Sequence, residues 1–196
     1  MSHYYTDNKD LPSNRREFEY YFDDVVFRFT TDNGVFSKGK IDYGSYLLIE
    51  SVYKLNLGKQ VLDLGCGYGP VGIIIKHFNS EIEVDAVDVN SRALELTKLN
   101  SDINKVDIKT YLCEDILTLN HKYDSIILNP PIRTGKKVIY DLYERSRLML
   151  NDGGHFYIVI QKKQGANSSI SKLETLFNKV EVINKDGGYL VIDSYN

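Results

Sequence analysis

In Val61-Leu62-Asp63-Leu64-Gly65-Cys66-Gly67-Tyr68-Gly69-Pro70-Val71-Gly72, a short apolar strand leads through a glycine-rich turn into the start of a helix. Glycine suits such a turn because it adopts positive φ at no steric cost and lets a ligand approach the main chain. The free amides at the start of the helix favour a carboxylate or a phosphate. The same residues satisfy the GxGxxG pattern of dinucleotide-binding proteins. The turn by itself therefore leaves open a dinucleotide, a different ligand or no ligand.

Strand-like and helix-like patterns alternate on both sides of this turn. Apolar runs predict strands at 61–64, 83–87, 108–112, 125–128 and 155–160. Amphipathic or apolar segments predict helices at 43–53, 69–78, 90–102 and 138–150. This order is typical of a parallel sheet whose two faces are both covered by helices.

Two hairpins depart from the alternation. Residues 17–22 and 25–31 predict a β-hairpin near the N-terminus, and residues 179–183 and 189–194 predict a second one, joined by 184–188. The last strand should therefore run antiparallel to its neighbours. The predicted fold is a Rossmann-like, doubly wound α/β sheet of seven strands with an antiparallel last strand. We expect an N-terminal arm with its β-hairpin over 1–42 and one α/β domain over 43–196.

Composition narrows the functional classes. The chain has 196 residues, 42% hydrophobic and 26% charged, with a net charge of −3, so a nucleic-acid substrate would require a local basic patch. Its two cysteines form no CxxC pair, which fits a reducing, cytoplasmic location. The polar N-terminus does not match a secretory signal, and no run of about 18 apolar residues predicts a membrane span. The four histidines lack metal-ligand spacing, so no metal is expected.

Three acidic residues follow or end predicted strands. Asp88 ends the second strand of the sheet, about 20 residues beyond the glycines, where a carboxylate can accept both hydroxyls of a ribose. Asp115 follows the third strand, where its carboxylate could accept a hydrogen bond from the amino group of an adenine. Asp63 lies on the strand side of the glycines and, in a methyltransferase, would help to hold the methionine end of the cofactor. We also include Val89 and Ile116, which directly follow two of these carboxylates, in the expected cofactor site.

Asn129-Pro130-Pro131-Ile132 follows the fourth strand, at the edge where ligands bind to parallel sheets. The lone pair of an exocyclic base amine or an amide nitrogen is delocalised, so the nitrogen is a poor nucleophile until two acceptors hold its N–H bonds. The side-chain oxygen of Asn129 and the carbonyl of Pro130 can be those acceptors. Methyl transfer from a sulfonium then requires in-line geometry and charge stabilisation. This motif favours S-adenosyl-L-methionine as the cofactor and S-adenosyl-L-homocysteine as the product.

These residues resemble the class I S-adenosylmethionine-dependent methyltransferases with an Asn-Pro-Pro motif. More narrowly, they are similar to the small-domain family related to the RsmC-type guanine-N2 methyltransferases of 16S ribosomal RNA. The resemblance covers nearly the whole chain and rests on five segments: His3-Tyr4-Tyr5, 33–45, the glycine turn, the Asn-Pro-Pro-Ile-Arg stretch and 160–165.

The resemblance implies that Gly65, Gly67, Asp88 and Asp115 bind the cofactor and that 129–132 hold the target base. It also implies that the segment carrying Phe36, Asp42 and Gly44 closes over the site. We expect Gly69 and Asn129 to complete the cofactor site. Many Asn-Pro-Pro enzymes have an aromatic residue in the fourth position of the motif, where this chain has Ile132. Either another side chain, with Phe36 as the candidate, stacks on the base, or apolar contact alone holds it.

The expected substrate is the exocyclic N2 of a guanine in small-subunit (16S) ribosomal RNA, free or within the small subunit. Its expected contacts are Phe36, Lys38, Arg133, Lys136 and Lys162, because the cations lie in loops that a sheet would bring to one edge. Adenine-N6 and protein glutamine-N5 methylation are alternatives. A nicotinamide-dependent oxidoreductase and a binding module without turnover are weaker ones. The sequence predicts no oligomeric state.

Overall fold

The structure, a computed structural model, describes residues 11–37 and 39–196. Nine strands and five α-helices follow one another along the described chain. The strands are β1 (Arg16–Phe22), β2 (Val25–Thr31), β3 (Gln60–Leu64), β4 (Glu83–Asp88), β5 (Lys109–Leu112), β6 (Tyr123–Leu128), β7 (Leu150–Gln161), β8 (Lys179–Asp186) and β9 (Tyr189–Tyr195). The helices are α1 (Tyr43–Val52), α2 (Pro70–Phe78), α3 (Ser91–Ile103), α4 (Lys136–Met149) and α5 (Ala166–Glu174).

A seven-stranded sheet in the order β5-β4-β3-β6-β7-β9-β8 forms the centre of the fold. Strands β3 to β7 are parallel, whereas β9 pairs antiparallel with both β7 and β8. The predicted doubly wound sheet with its antiparallel last strand is therefore confirmed. The separate two-stranded sheet of β1 and β2 is the predicted N-terminal hairpin.

The inner strands β3, β4 and β6 are buried on both faces because they carry apolar residues on both sides. Along β3, Val61 packs into a cluster with α1, α2 and α3, while Leu62 packs into a second cluster with α4 and α5. Helix α2 begins with Pro70, whose fixed φ suits a first turn, and its Ile73–Ile75 segment is fully buried. The helices therefore hold the carboxyl ends of the parallel strands at one fixed edge.

The N-terminal hairpin packs against the same core as α1, α2 and α3. Phe22, Phe27 and Phe29 are buried in that cluster. The Thr30 backbone amide donates to Oδ1 of Asn100 on α3 (2.7 Å), and Asn100 Nδ2 donates back to the Thr30 carbonyl (3.0 Å). These paired bonds fix the chain that leads from β2 towards the site.

Three features of the C-terminal half differ from the sequence-based expectation. Helix α5 was not predicted: its sequence is rich in serine, and it forms because Ala166, Ser169 and Leu173 are buried against the sheet. Strand β7 begins at Leu150, directly after α4, rather than at His155. Strand β8 continues to Asp186, so the last turn is shorter than predicted.

No helix in residues 11–37 and 39–196 is long and apolar enough to cross a membrane.

We predict that Gly69→Ala destabilises the fold more than the same change at Gly153. Both glycines have left-handed φ, +87° and +72°, which costs an L-residue about 1–2 kcal/mol. A Cβ at Gly69 would also lie 2.8 Å from Cγ2 of the buried Thr97, whereas a Cβ at Gly153 would meet nothing within 4 Å. The expected loss of unfolding free energy is about 3 kcal/mol at Gly69 and about 1 kcal/mol at Gly153. Urea denaturation measures both, and equal losses would contradict the packing argument.

Candidate active site

A cavity of about 400 Å³ opens at the carboxyl ends of β3, β4 and β6. Its walls come from the glycine turn, the segment after β4, the Asn-Pro-Pro motif and the segment that joins β2 to α1. Cavities of this size and position are typical ligand sites of α/β sheets.

The glycine turn forms the floor of the cavity next to β4. The Gly65 and Cys66 amides both donate to the Val87 carbonyl, at 2.8 and 3.0 Å, so the turn is tied to the neighbouring strand. At Gly67 a Cβ would meet nothing within 4 Å, which leaves the main chain open to a ligand. Gly65 and Gly67 line the cavity, whereas Gly69 does not, because it packs against Thr97 of α3.

Asp88, the last residue of β4, holds the turn from the other side. Its Oδ2 accepts from the Gly67 amide (2.9 Å) and its Oδ1 from the Asn90 amide (2.9 Å). Burial raises the pKa of Asp88 to about 6, although these two bonds act in the opposite direction. Each carboxylate oxygen keeps a further lone pair, so Asp88 can also accept ligand hydroxyls. Val89 lines the cavity beside it.

Asp63 lies deeper, with 4% of its surface exposed. Its Oδ2 accepts from the Gly72 amide of α2 (2.8 Å). Burial, with the charge of Asp88 adding to it, raises the pKa of Asp63 to about 7. Asp63 therefore fixes α2 against β3 and also contributes to the cavity wall.

The segment after β5 lines the cavity with Cys113, Glu114 and Ile116, but not with Asp115. The Asp115 side chain accepts from the Leu117 amide (2.9 Å) and forms an ion pair with Arg145 of α4. This ion pair lowers the pKa of Asp115. The role expected for Asp115 at an adenine amino group thus stays a prediction, and the structure places its carboxylate in another set of contacts.

Asn129 and the two prolines form the opposite wall. Asn129 Nδ2 donates to Ser45 Oγ (3.0 Å) and to Asp42 Oδ1 (3.4 Å). Pro131 has φ −74° and ψ 74°, and the Ile132 amide donates to the Pro130 carbonyl at 2.9 Å, which together form an inverse γ-turn. The Pro130 carbonyl keeps one lone pair for another donor. All four residues of the motif line the cavity.

The cavity wall is strongly acidic. Its carboxylate side chains are Asp42, Asp63, Asp88, Glu114 and Asp141, and among the described lining residues Arg133 is the one with a basic side chain. Such a wall favours a cationic ligand and disfavours a pyrophosphate, because like charges at short range repel. Among the possibilities that the glycine pattern left open, this charge distribution disfavours a dinucleotide. It fits a sulfonium rather than a dinucleotide.

Two of the expected substrate contacts, Phe36 and Arg133, line the cavity. Phe36 has 46% of its surface exposed, and Arg133 is also exposed. Lys136 begins α4 and Lys162 follows β7, so both lie in segments at the same edge, exposed and outside the cavity wall. Lys38 falls outside the described residues, as does His3-Tyr4-Tyr5. The substrate roles of these residues remain predictions.

Sequence reasoning missed several lining residues. Ser45, Asn90, Asp141, Gln164 and Tyr189 all face the cavity. Asn90 Nδ2 donates to the Gly34 carbonyl (2.9 Å), which anchors the segment carrying Phe36 beside the site. The sequence signalled Asn90 only as a helix cap, which it is, and gave no sign of its contact with Gly34.

Comparison with known proteins agrees with this geometry. The methyltransferase small domain family matches residues 26–193. The chain belongs to this family of S-adenosyl-L-methionine-dependent enzymes, which confirms the resemblance stated from the sequence.

The chain is similar to relatives and to a solved structure over most of its length. A Bacillus subtilis protein, YbxB, described as uncharacterized, is 40% identical over 97% of this chain and 96% of its own length. The ribosomal RNA small subunit methyltransferase C of Haemophilus influenzae is 32% identical over 83% of this chain and 49% of its own. The RsmC 16S rRNA N2 guanine methyltransferase of T. thermophilus, solved with AdoMet and guanosine, superimposes with a TM-score of 0.83 at 26% identity, over 95% of this chain and 52% of that one. The chain thus spans about half the length of the ribosomal RNA methyltransferases it matches.

In the described part of the chain, no group of three or more histidine, cysteine, aspartate or glutamate side chains is arranged to hold a metal ion.

The raised pKa values predict a pH-dependent affinity for S-adenosyl-L-methionine. The pKa is about 6 for Asp88 and about 7 for Asp63, and a cation with ribose hydroxyls favours their ionised forms. Affinity should therefore increase as the pH rises through about 6 to 7 and level off above that range. Calorimetric titration between about pH 5.5 and about pH 8 measures this change.

Asp88→Asn removes one of the two titrating groups. We expect this variant to bind more weakly at about pH 8 and to lose the part of the pH dependence centred near pH 6. A pH profile identical to that of the wild type would show that Asp88 does not contact the cofactor.

Proposed function

We propose that the protein is an N-methyltransferase that transfers the methyl group of S-adenosyl-L-methionine to the exocyclic N2 of a guanine in small-subunit ribosomal RNA. The observation that carries the proposal is the orientation of Asn129. Its Nδ2 is engaged by Ser45 and Asp42, so its Oδ1 is left to accept from an amine in the cavity. The likeness to an RsmC enzyme solved with guanosine supports guanine as the base.

The cavity residues fit the cofactor. The open main chain at Gly67, the free lone pairs of Asp88 and the acidic wall match a nucleoside sulfonium. When bound, the cofactor supplies an electrophilic methyl group. Asp88 would hold the ribose hydroxyls, and Asp63 would stabilise the turn and the methionine end.

The nucleophile side of the reaction rests on the motif after β6. Asn129 Oδ1 and the Pro130 carbonyl would accept hydrogen bonds from the two N–H groups of the guanine amine. These bonds would turn the lone pair of the nitrogen towards the methyl carbon. As the C–N bond forms and the C–S bond breaks, the nitrogen becomes cationic, and these two oxygens stabilise that charge. The nitrogen then releases a proton to solvent. The rigid γ-turn at Pro131 fixes the Pro130 carbonyl for this task.

The side chains at the mouth support a nucleic-acid substrate. Ile132 offers apolar contact but no ring, so Phe36, which also lines the cavity and is 46% exposed, is the proposed stacking partner. Arg133, Lys136 and Lys162 would contact phosphates around an acidic interior. Ribosomal RNA or the small subunit is the proposed partner, in the cytoplasm.

Nucleoside mass spectrometry of 16S ribosomal RNA tests the substrate directly. Ribosomal RNA from cells lacking the protein should lose one N2-methylguanosine, and the purified protein should restore it with S-adenosyl-L-methionine. Naked RNA and isolated small subunits are to be compared as acceptors. Appearance of N6-methyladenosine, or of methyl label in a protein glutamine, would replace guanine-N2 with one of the alternatives.

Asn129→Ala should lower the single-turnover rate of methyl transfer by about 10²–10³-fold, because one acceptor of the amine is lost. Cofactor affinity, measured by calorimetry, should change little. Asn120→Ala is the control, since Asn120 is exposed just before the amino end of β6, the edge away from the cavity. Equal losses of affinity and rate at Asn129 would assign this residue to cofactor binding alone.

A further inference from the structure

The geometry points to Asp42 and Ser45 as positioning residues that fix the orientation of the Asn129 side-chain amide. The inference rests on the proposed function, in which Asn129 Oδ1 accepts from the target amine. Asp42 and Ser45 lie at the start of α1, outside the Asn-Pro-Pro motif that follows β6, and they act in the reaction through Asn129.

An asparagine amide has two ends of opposite character and similar size. Its oxygen accepts hydrogen bonds, whereas its nitrogen donates them. Only one of the two orientations about the terminal bond would present an acceptor to an amine. With the amide turned over, two N–H donors would face the N–H donors of the substrate, and no hydrogen bond could form. An enzyme that uses this amide as an acceptor therefore needs a device that selects the orientation.

The start of α1 provides such a device. Ser45 Oγ lies 3.0 Å from Asn129 Nδ2, and Asp42 Oδ1 lies 3.4 Å from the same atom. An ionised carboxylate only accepts hydrogen bonds, so it attracts the nitrogen and repels the oxygen. The charge of Asp42 thus decides which end of the Asn129 amide faces α1. The shorter hydrogen bond to Ser45 then holds Nδ2 in that position. Oδ1 is then directed away from α1.

Both positioning side chains are themselves held in place. Asp42 is the N-cap of α1: its Oδ1 accepts from the Ser45 amide (3.1 Å), and its carbonyl accepts from the Tyr46 amide (3.0 Å). Ser45 is 5% exposed. A helix cap has little conformational freedom, so the acceptor facing Asn129 is preorganised.

Gly44 allows the Asn129 side chain to lie close to the start of α1. A Cβ at this position would lie 3.1 Å from Asp42 Oδ1, 3.2 Å from Cε1 of Tyr189 and 3.6 Å from Asn129 Nδ2. Its φ is not in the left-handed region, so space rather than backbone conformation makes glycine suitable here. Within one helical turn, Asp42 therefore caps the helix, Gly44 leaves space for the Asn129 side chain, and Ser45 provides the hydrogen-bond acceptor.

The test is a kinetic comparison of Ser45→Ala, Asp42→Asn and a matched control. Ser45→Ala removes the 3.0 Å acceptor without touching the cap, and Asp42→Asn keeps the cap but removes the charge that selects the orientation. Each should lower the single-turnover rate at saturating cofactor by about tenfold, as expected for one lost hydrogen bond. The affinity for S-adenosyl-L-methionine should stay unchanged in Ser45→Ala, whereas Asp42→Asn also removes one charge from the acidic wall and should bind the cofactor more weakly. Ser51→Ala is the control: Ser51 lies on the same helix and bonds to the Leu47 carbonyl and Asn184, away from the cavity.

A double-mutant cycle separates positioning from a general structural effect. If Ser45 acts through Asn129, Ser45→Ala should have almost no further effect in the Asn129→Ala background. Additive losses, or rates of both single variants within about twofold of the wild type, would overturn the inference. Thermal denaturation of each variant confirms that the fold is intact.

A second readout does not depend on activity. The Asn129 side-chain NH₂ resonances in a ¹⁵N-labelled sample are identified by their loss in Asn129→Ala. In the wild type they should show slow hydrogen exchange and two distinct shifts, and in Ser45→Ala faster exchange and altered shifts. No change would overturn the positioning role. If the wild type methylates no substrate but these resonances behave as expected, the proposed function fails and the positioning contact remains.

Discussion

Between the end of β3 and the start of α2 the chain reverses direction through Gly65–Gly69, and three of these residues have left-handed φ. The rest of the cofactor side depends on this turn. Its amides bond to the Val87 carbonyl and to the Asp88 carboxylate, and Gly69 lets α2 lie directly against Thr97 of α3. One backbone conformation therefore sets the position of β4, α2 and α3 together. A side chain at Gly69 would separate them.

The wall that carries the Asn-Pro-Pro motif is built differently, from residues far apart in the chain. Asn129 follows β6, whereas its two hydrogen-bond partners begin α1, more than 80 positions earlier. The Tyr189 ring completes this wall from β9 and packs near Tyr43, with ring centroids 5.7 Å apart. Acidic groups cluster in the cavity wall with Arg133, whereas Lys136 and Lys162 are exposed outside it. The charge of a protein with a net charge of −3 is therefore unevenly distributed, and the cavity itself suits a cationic cofactor.

Local patterns predicted the sheet, both hairpins and the place of the Asn-Pro-Pro motif at the edge where the cavity opens, because strand periodicity, glycine turns and proline are local signals. Helix α5 escaped prediction because its serines are poor helix formers and burial of Leu173 compensates for them. The contact of Ser45 with Asn129 could not be read from the sequence, since only the folded sheet brings α1 beside the end of β6. Likewise, no local pattern indicated that the Asp115 side chain pairs with Arg145.

The position of β9 between β7 and β8 has a consequence for synthesis on the ribosome. Among the strands of residues 11–37 and 39–196, β8 pairs with β9 alone, so it joins the sheet only as part of a hairpin that inserts beside β7. Translation proceeds at about 5–20 residues per second. The edge of β7 that pairs with β9 therefore stays unpaired until residues 189–195 have left the ribosome. Because Tyr189 also belongs to the cavity wall, the site closes in the same event. A nascent chain that still lacks this strand holds the glycine turn and Asn129 but has an incomplete pocket, with an aggregation-prone edge beside it.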